Sequence, residues 1–297
     1  MAVTGNIISV KNLCKGFAKN VIIFENLSIE IPKNKIIGLI GPNGSGKTTF
    51  IKLLSGMILP DSGEILVDGL NVQKEFLAVK RIIGIMPDTN RNLYWNLSGY
   101  KNIEYFAILK GLYNKRERNK IIEELISELN MESFVYKKVE SYSKGMKQRL
   151  MFLIALLGSP KLLLLDEPLN GLDFENSLLI KDIILKFVKK GLSVIISSHD
   201  KYFLEEICDI KYIIKDKKLV IASPTNFVSK ELRVYFKILD YAIGESLKKY
   251  CYEVIDNKKG IYSIQFKMND YDFLYLAAEA VKNKKVEILS IVPKEDK

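Results

Sequence analysis

The residues that most constrain this chain are Gly41 to Thr48, which read Gly-Pro-Asn-Gly-Ser-Gly-Lys-Thr. The run fits the pattern G-x-x-x-x-G-K-[ST] and follows Ile36–Ile40, an aliphatic stretch that predicts a buried strand. A helix is predicted from about Lys47. Glycines let backbone amides curl around a phosphate, and the start of a helix adds a favourable dipole. A chance glycine-rich turn is the alternative, but the strand and helix on either side favour a nucleotide site in a parallel α/β sheet.

Within this loop each residue type suits phosphate chemistry. The Lys47 ammonium can reach the β- and γ-phosphates, and the Thr48 hydroxyl can ligate Mg²⁺. The candidate contacts to the nucleotide are Gly41, Pro42, Asn43, Gly44, Ser45, Gly46, Lys47, Thr48 and Thr49.

Two adjacent carboxylates follow a second apolar run. Leu162–Leu165 predicts a buried strand that delivers Asp166 to its carboxyl end, where open α/β sheets bind ligands. Asp166 is then a candidate Mg²⁺ ligand, and Glu167 a candidate base for the attacking water. A solvated acidic turn is the alternative, which the upstream glycine loop disfavours.

His199 is the single histidine of the chain and follows a predicted strand at Val194–Ser197. The local order Ser-His-Asp does not form a hydrolase triad, because adjacent residues cannot assemble that geometry unaided. A lone histidine is usually structural, but its position after a core strand favours a contact to the γ-phosphate.

Composition and charge narrow the class of protein. The formal charge of +10 invites nucleic acid or an anionic membrane, but the lysines are spread along the 297 residues, so nucleic acid is not expected as a partner. The three cysteines form no C-x-x-C pair, which favours a reducing cytoplasm. No apolar run approaches the roughly 20 residues of a membrane span, and the first residues lack a secretory signal. We therefore expect a soluble protein.

The predicted elements divide the chain at about residue 222. The first part is expected to be an α/β P-loop core with a mostly parallel sheet, an antiparallel β subdomain and a helical insert at about 91–160. Val79–Ile85 is interpreted as a strand of this core. Residues 223–297 predict a small α+β unit in the split order β-α-β-β-α-β, which is ferredoxin-like.

The segment Tyr142-Ser143-Lys144-Gly145-Met146-Lys147-Gln148-Arg149 completes a set of motifs. It resembles the S-x-G-x-x-Q-R signature of the ABC ATPase family, and Ser143 suits the N-cap of a helix. Leu169 to Asp173 resembles the D-loop of that family, His199 its switch histidine and Phe17 its adenine-stacking aromatic. The resemblance covers residues 6 to about 222.

This resemblance implies a head-to-tail homodimer that encloses two ATP molecules. Each ATP would meet the Gly41–Thr48 loop of one subunit and Ser143 to Gly145 of the other, with Asp173 also near the nucleotide. A second helix start aimed at the γ-phosphate is physically sensible. Hydrolysis would then open the dimer and move a separate transmembrane permease subunit, which holds the protein peripherally at the inner face of the plasma membrane.

Two departures from the family pattern bear on the site. Asp88 stands where the family has Gln; an ionised acid can approach Mg²⁺ but cannot donate a hydrogen bond. Lys144 stands where Gly is usual.

The segment Thr89–Tyr100 corresponds to the family's docking surface for the permease. Burial of Trp95 in the helical insert is an equal alternative, and Phe17 could likewise belong to the core.

The function expected is therefore Mg²⁺-dependent ATP hydrolysis as the energising subunit of an ABC transporter, with export favoured by analogy. An importer subunit is the runner-up. A soluble ABC ATPase that acts on nucleic acid or ribosomes is the rival from another class.

Overall fold

The computed structural model describes residues 5–18, 21–42, 44–89, 92–170, 172, 174–198, 201–222, 231–238, 253–256, 261–267 and 286–293. The chain divides into two compact units, Met1–Ala222 and Ser223–Lys297. In the first unit, the described strands are β1 (Asn6–Ala18), β2 (Val21–Pro32), β3 (Ile36–Ile40), β4 (Ser62–Val67), β5 (Leu70–Asn71), β6 (Ile83–Met86), β7 (Leu162–Asp166), β8 (Ser193–Ser198), β9 (Ile210–Lys215) and β10 (Lys218–Ile221). The described helices are α1 (Lys47–Leu54), α2 (Phe76–Ile82), α3 (Gly99–Leu109), α4 (Lys115–Glu128), α5 (Lys144–Leu156), α6 (Phe174–Lys189) and α7 (Lys201–Ile207), with a 3-10 turn at Val139–Ser141.

A six-stranded sheet forms the centre of the first unit, in the order β10-β9-β3-β8-β7-β6. Its strands are parallel except for β10, which pairs antiparallel with β9. Every residue of β3, β7 and β8 is buried, which explains their continuous apolar runs. Because β3 and β7 both pair parallel with β8, their carboxyl ends lie at the same edge of the sheet, as the sequence predicts.

An antiparallel sheet in the order β2-β1-β4-β5 lies beside this centre. Its inner face supplies part of the same apolar core, including Leu13, Phe24, Ile65 and Val67. The expected mixture of a parallel sheet with an antiparallel subdomain is confirmed.

Three helices, α3 to α5, make up the insert between β6 and β7. Ser98 caps α3 and Asn114 caps α4 through their side-chain oxygens. On α4 the residues Ile122, Leu125 and Ile126 are buried, and their spacing puts them on one face of a helix with 3.6 residues per turn.

The strand predicted at Val79–Ile85 is wrong over residues 79–82. Residues 76–82 form α2, and β6 begins only at Ile83. Leu77, Ala78, Lys80 and Arg81 are good helix formers, and a short apolar run does not distinguish a strand from a buried helix.

In the second unit, the described strands are β11 (Glu231–Ile238), β12 (Glu253–Asp256), β13 (Ile261–Lys267) and β14 (Val286–Pro293). They form an antiparallel sheet in the order β12-β13-β11-β14. The two helices that a ferredoxin-like unit requires are predicted at about 243–249 and 271–281, outside the described residues, so that topology stays a prediction.

Within the described part of the chain, no helix combines the length and the apolar character needed to cross a membrane.

Candidate functional site

The loop between β3 and α1 depends on glycine at two positions. Gly44 and Gly46 have φ values of 80° and 108°, a region that other residues rarely adopt. A Cβ at Gly46 would also lie 2.7 Å from Cγ2 of Ile23. The N-cap of α1 is Gly46, which has no side chain. No N-cap side chain therefore accepts a hydrogen bond from the first-turn amides of this helix.

Lys47 is buried at the first position of α1, with 6% of its surface exposed. Its Nζ donates to the carbonyl oxygens of Gly41 at 2.6 Å and Pro42 at 3.2 Å. The same ammonium lies 4.0 Å from Oε1 of Glu167. The loop, the lysine and the predicted base therefore converge on one place.

The neighbouring strands β7 and β8 position the two carboxylates. Their parallel register pairs Asp166 with Ser197, whose hydroxyl donates to Oδ1 of Asp166 at 2.5 Å. The amide of Glu167 donates to the carbonyl oxygen of Ser197 at 3.0 Å and approaches its hydroxyl oxygen at 3.1 Å. Glu167 itself has a left-handed backbone, with φ of 50°, which is unusual for a residue other than glycine. Such strain is concentrated at functional sites.

The predicted metal ligands combine oxygen donors of the kind that Mg²⁺ prefers. Asp166 is buried at the end of β7, and Thr48 is exposed in the first turn of α1, a helix that packs on β7. Asp88 is exposed after β6, and its Oδ1 accepts from Nδ2 of Asn170 at 3.3 Å. This donor set fits a magnesium ion.

Three predicted site residues, Asn43, Asp173 and His199, lie outside the described residues. Their roles stay predictions.

The second motif that is predicted to contact phosphate lies at the start of α5. Ser143 is exposed at the N-cap, and its hydroxyl oxygen accepts from the amide of Met146 at 3.2 Å. Gly145 is buried, and a Cβ there would lie 2.8 Å from Nδ2 of Asn176. Nε of Arg149 donates to Oδ1 of the same Asn176 at 3.1 Å, which ties α5 to α6.

Phe17 and Trp95, for which the sequence leaves a core role open, are both exposed. The side chain of Phe17 is 60% exposed at the end of β1, and Trp95 is 45% exposed with Nζ of Lys147 4.4 Å from its ring centroid. A core role for either ring is therefore disfavoured.

Sequence reasoning missed Ser197 and Asn176. A buried serine pair that follows Val194–Ile196 at the end of β8 is a signal for Ser197, because a buried hydroxyl needs a partner. Asn176 carries no such signal, since its contacts with Gly145 and Arg149 depend on how α5 meets α6.

Comparisons with known proteins point to one family. A family model described as ABC transporter matches residues 24–170. The lantibiotic transport ATP-binding protein SrtF of Streptococcus pyogenes is 35% identical over 214 residues, which cover 72% of this chain and 89% of SrtF. The ABC transporter ATP-binding protein NatA of Bacillus subtilis is 31% identical over 195 residues, which cover 66% of this chain and 79% of NatA.

A solved structure shares the fold. The dimeric structure of a bacterial ABC transporter cassette superposes with a TM-score of 0.65 at 25% identity, covering 71% of this chain and 96% of the cassette.

The phosphate loop, the paired carboxylates and the signature helix thus occur together in a chain with extensive likeness to these relatives. The protein binds and hydrolyses ATP to energise transport. It belongs to the ATP-binding proteins of the ABC transporter family.

Proposed function

We propose that this chain is the Mg²⁺-dependent ATPase subunit of an exporter, that it works as a homodimer and that it drives a separate transmembrane permease subunit. The observation that carries the catalytic part is Glu167, which is strained in the left-handed region, bonded through its amide to Ser197 and 4.0 Å from the Lys47 ammonium.

Nucleotide binding rests on the loop and the helix after it. The backbone N–H groups from Gly44 to Thr49 cradle the phosphates, and the glycine N-cap leaves the start of α1 open to an anion. Lys47 now donates to two carbonyl oxygens of its own loop, and we propose that it exchanges them for the β- and γ-phosphates when ATP binds. The exposed Phe17 ring stacks on the adenine.

Thr48, Asp166 and Asp88 would hold the magnesium ion, which neutralises charge on the phosphates when bound. The bond from Ser197 orients Asp166 so that its carboxylate stays directed at this place.

In the hydrolytic step Glu167 orients a water and accepts a proton from it as the water oxygen attacks the γ-phosphorus. The bond from that phosphorus to the bridging oxygen breaks, which yields ADP and inorganic phosphate. We propose that His199 contacts the γ-phosphate.

The exposed N-terminus of α5 supplies the contact between subunits. Ser143 and Gly145, with Asp173, meet the nucleotide held by the other subunit, and this makes ATP part of the dimer interface. The dimeric cassette with the same fold supports this arrangement.

The segment Thr89–Tyr100 is proposed to dock on the permease at the inner face of the plasma membrane. Tyr94, Trp95 and Leu97 expose 45%, 45% and 43% of their surface, which is unusual for a group of large apolar side chains close together in sequence. Export is supported by the transport role printed for SrtF.

Recovery of the protein from membranes tests this proposal. The tagged full chain should co-purify with one transmembrane protein, and Trp95→Ala should reduce that recovery without changing ATP affinity. Tyr113→Ala is the matched control, because Tyr113 is also exposed but lies outside the docking segment. Recovery of nucleic acid with a steep salt dependence, and of no membrane protein, would contradict the proposal.

The second unit is proposed to be an accessory module that affects dimer stability or coupling, since the predicted site residues from Phe17 to His199 all precede it.

A further inference from the structure

Phe17 lies where the strand ladder is irregular. The register between β1 and β2 shifts between Lys15 and Gly16 and again between Gly16 and Ala18. On the other side of β1, the pairing with β4 ends at Cys14 and Ser62. Regular backbone pairing therefore does not by itself hold the backbone that leads into Phe17.

Asp61 supplies the missing contacts. Its backbone amide donates to the carbonyl oxygen of Cys14 at 2.9 Å, which places the side chain beside the end of β1. Oδ2 accepts from the amide of Gly16 at 2.7 Å, and Oδ1 accepts from Nζ of Lys15 at 2.8 Å. One carboxylate thus satisfies the backbone donor just before Phe17 and binds the side chain two residues before it.

Lys15 extends the arrangement to the aromatic ring. Its Nζ lies 5.5 Å from the ring centroid of Phe17, within the range of a cation–π contact. This contact places the two side chains on one side of β1. The Lys15 side chain is only 14% exposed although Phe17 is 60% exposed, so the cation is better fixed than the ring beside it.

Charge agrees with this geometry. The hydrogen bond from Lys15, followed by that from the Gly16 amide, lowers the pKa of Asp61 below its usual value. The carboxylate is therefore ionised at neutral pH and keeps both donors.

We infer that Asp61 is a positioning residue for base stacking, which acts through Gly16 and Lys15 to hold the Phe17 ring ready for the adenine. This rests on the proposed stacking role of Phe17. The physical reason is preorganisation, because a ring that is already oriented loses less conformational freedom when the base binds. Asp61 has no role toward the phosphates in this inference.

The experiment compares two ligands in the full-length protein with Mg²⁺: ATP, and inorganic tripolyphosphate, which lacks the base. Phe17→Ala should weaken ATP binding by about 5- to 150-fold, the range for base stacking on an aromatic ring. Asp61→Ala should weaken ATP binding by about three- to tenfold, a part of that contribution. Neither change should alter the affinity for tripolyphosphate.

The double variant with Phe17→Ala and Asp61→Ala decides whether Asp61 acts through Phe17. If it does, the double variant binds ATP no more weakly than Phe17→Ala alone. Asp61→Asn keeps an acceptor for the Gly16 amide and should fall between wild type and Asp61→Ala. It also replaces Asp61→Ala in the comparison should that variant not fold.

Asp68→Ala is the matched control. Asp68 is also in the antiparallel subdomain and pairs with Lys33 and Lys161, so its loss tests general weakening of ion pairs there. Asp68→Ala should not weaken ATP binding relative to tripolyphosphate binding.

Three results would overturn the inference: additive losses in the double variant, equal weakening of tripolyphosphate, or unchanged ATP affinity in both Asp61 variants while Phe17→Ala is impaired. If Phe17→Ala binds ATP with normal affinity, the proposed stacking role of Phe17 is wrong, and the inference about Asp61 is wrong with it. If only the Asp61 variants depart from expectation, the stacking role stands and the inference alone is wrong.

Discussion

Two helices of the first unit, α1 and α5, begin at motifs that are predicted to contact phosphate, but their first turns are built differently. The N-cap of α1 is Gly46, left-handed and without a side chain, beside the buried Lys47. The N-cap of α5 is Ser143, extended and exposed, whose hydroxyl already accepts from the Met146 amide.

This difference teaches what each helix start is suited to do. An uncapped first turn beside a buried cation favours an anion, so α1 suits a nucleotide held by its own chain. A self-capped and exposed first turn is stable without a ligand, so α5 suits a contact made only when a second subunit arrives. The following changes test this division, from the largest expected effect to the smallest.

Glu167→Gln should abolish hydrolysis but leave intact the ATP binding at α1 and the dimer contact at α5. An amide cannot accept the proton from water, so the turnover number should fall by about 10²- to 10⁴-fold. ATP binding should survive, because the neutral side chain removes repulsion toward the γ-phosphate. A dimer should accumulate with ATP and Mg²⁺, measured by light scattering beside an ATPase assay.

Glu104→Gln is the control for this change, since Glu104 pairs with Lys101 and Arg118 in the helical insert. A Glu167→Gln protein with near wild-type turnover would remove Glu167 from the role of base.

Ser143→Arg should affect the contact that α5 makes with the other subunit and not the nucleotide site at α1. A long cation at an exposed N-cap blocks the approach of the other subunit's nucleotide, so dimerisation and hydrolysis should be lost, the latter by at least about 10²-fold. The affinity of the monomer for ATP, measured by titration, should stay unchanged. Ser98→Arg alters another serine N-cap, that of α3, and controls for the loss of a helix cap. Equal loss of ATP binding by the monomer would place Ser143 in its own subunit's site.

Alanine at the two glycines sharpens the contrast further. At Gly46 the backbone φ of 108° and the contact with Ile23 oppose any Cβ, so Gly46→Ala should cost roughly 1–3 kcal/mol of stability and weaken ATP binding of the monomer about tenfold. At Gly145 the backbone is helical and the obstacle is the Asn176 side chain, so Gly145→Ala should cost about 1 kcal/mol and leave that binding intact. Thermal unfolding and ATP titration of both variants check this. The reverse order of ATP affinities would break the division between α1 and α5.

A chain shortened to end at Ala222 should give the smallest effect on the nucleotide site. It should fold and bind ATP with unchanged affinity, because Phe17 and the phosphate loop precede the boundary. Light scattering should show weaker dimerisation. A folded, shortened protein that no longer binds ATP would mean that the second unit contributes to the site.

Much of the fold and of the site's location could be predicted from sequence because their signals are local. Two continuous apolar runs, at Ile36–Ile40 and Leu162–Leu165, are each followed directly by a predicted site residue, Gly41 or Asp166. The error at Val79–Ile85 has a local cause as well, since the boundary between α2 and β6 falls inside one apolar run.

Residues that act across elements left weaker signals. The bond from Asn170 to Asp88 joins residues 82 positions apart, and the role of Ser197 depends on the register between β7 and β8. Neither distance nor register is encoded in a local pattern.

The sequence alone determined that this chain has a glycine loop of the phosphate-binding pattern at Gly41–Thr48, carries its carboxylates at the end of β7 and presents a capped helix at Ser143, because backbone conformation and residue chemistry decide those features locally. The tertiary structure decided that Phe17 and Trp95 are exposed, that Lys47 lies beside Glu167 and that Asp61 holds the end of β1. These facts arise from packing between segments distant in the chain, where the geometry of two elements, rather than the composition of either, sets which atoms meet.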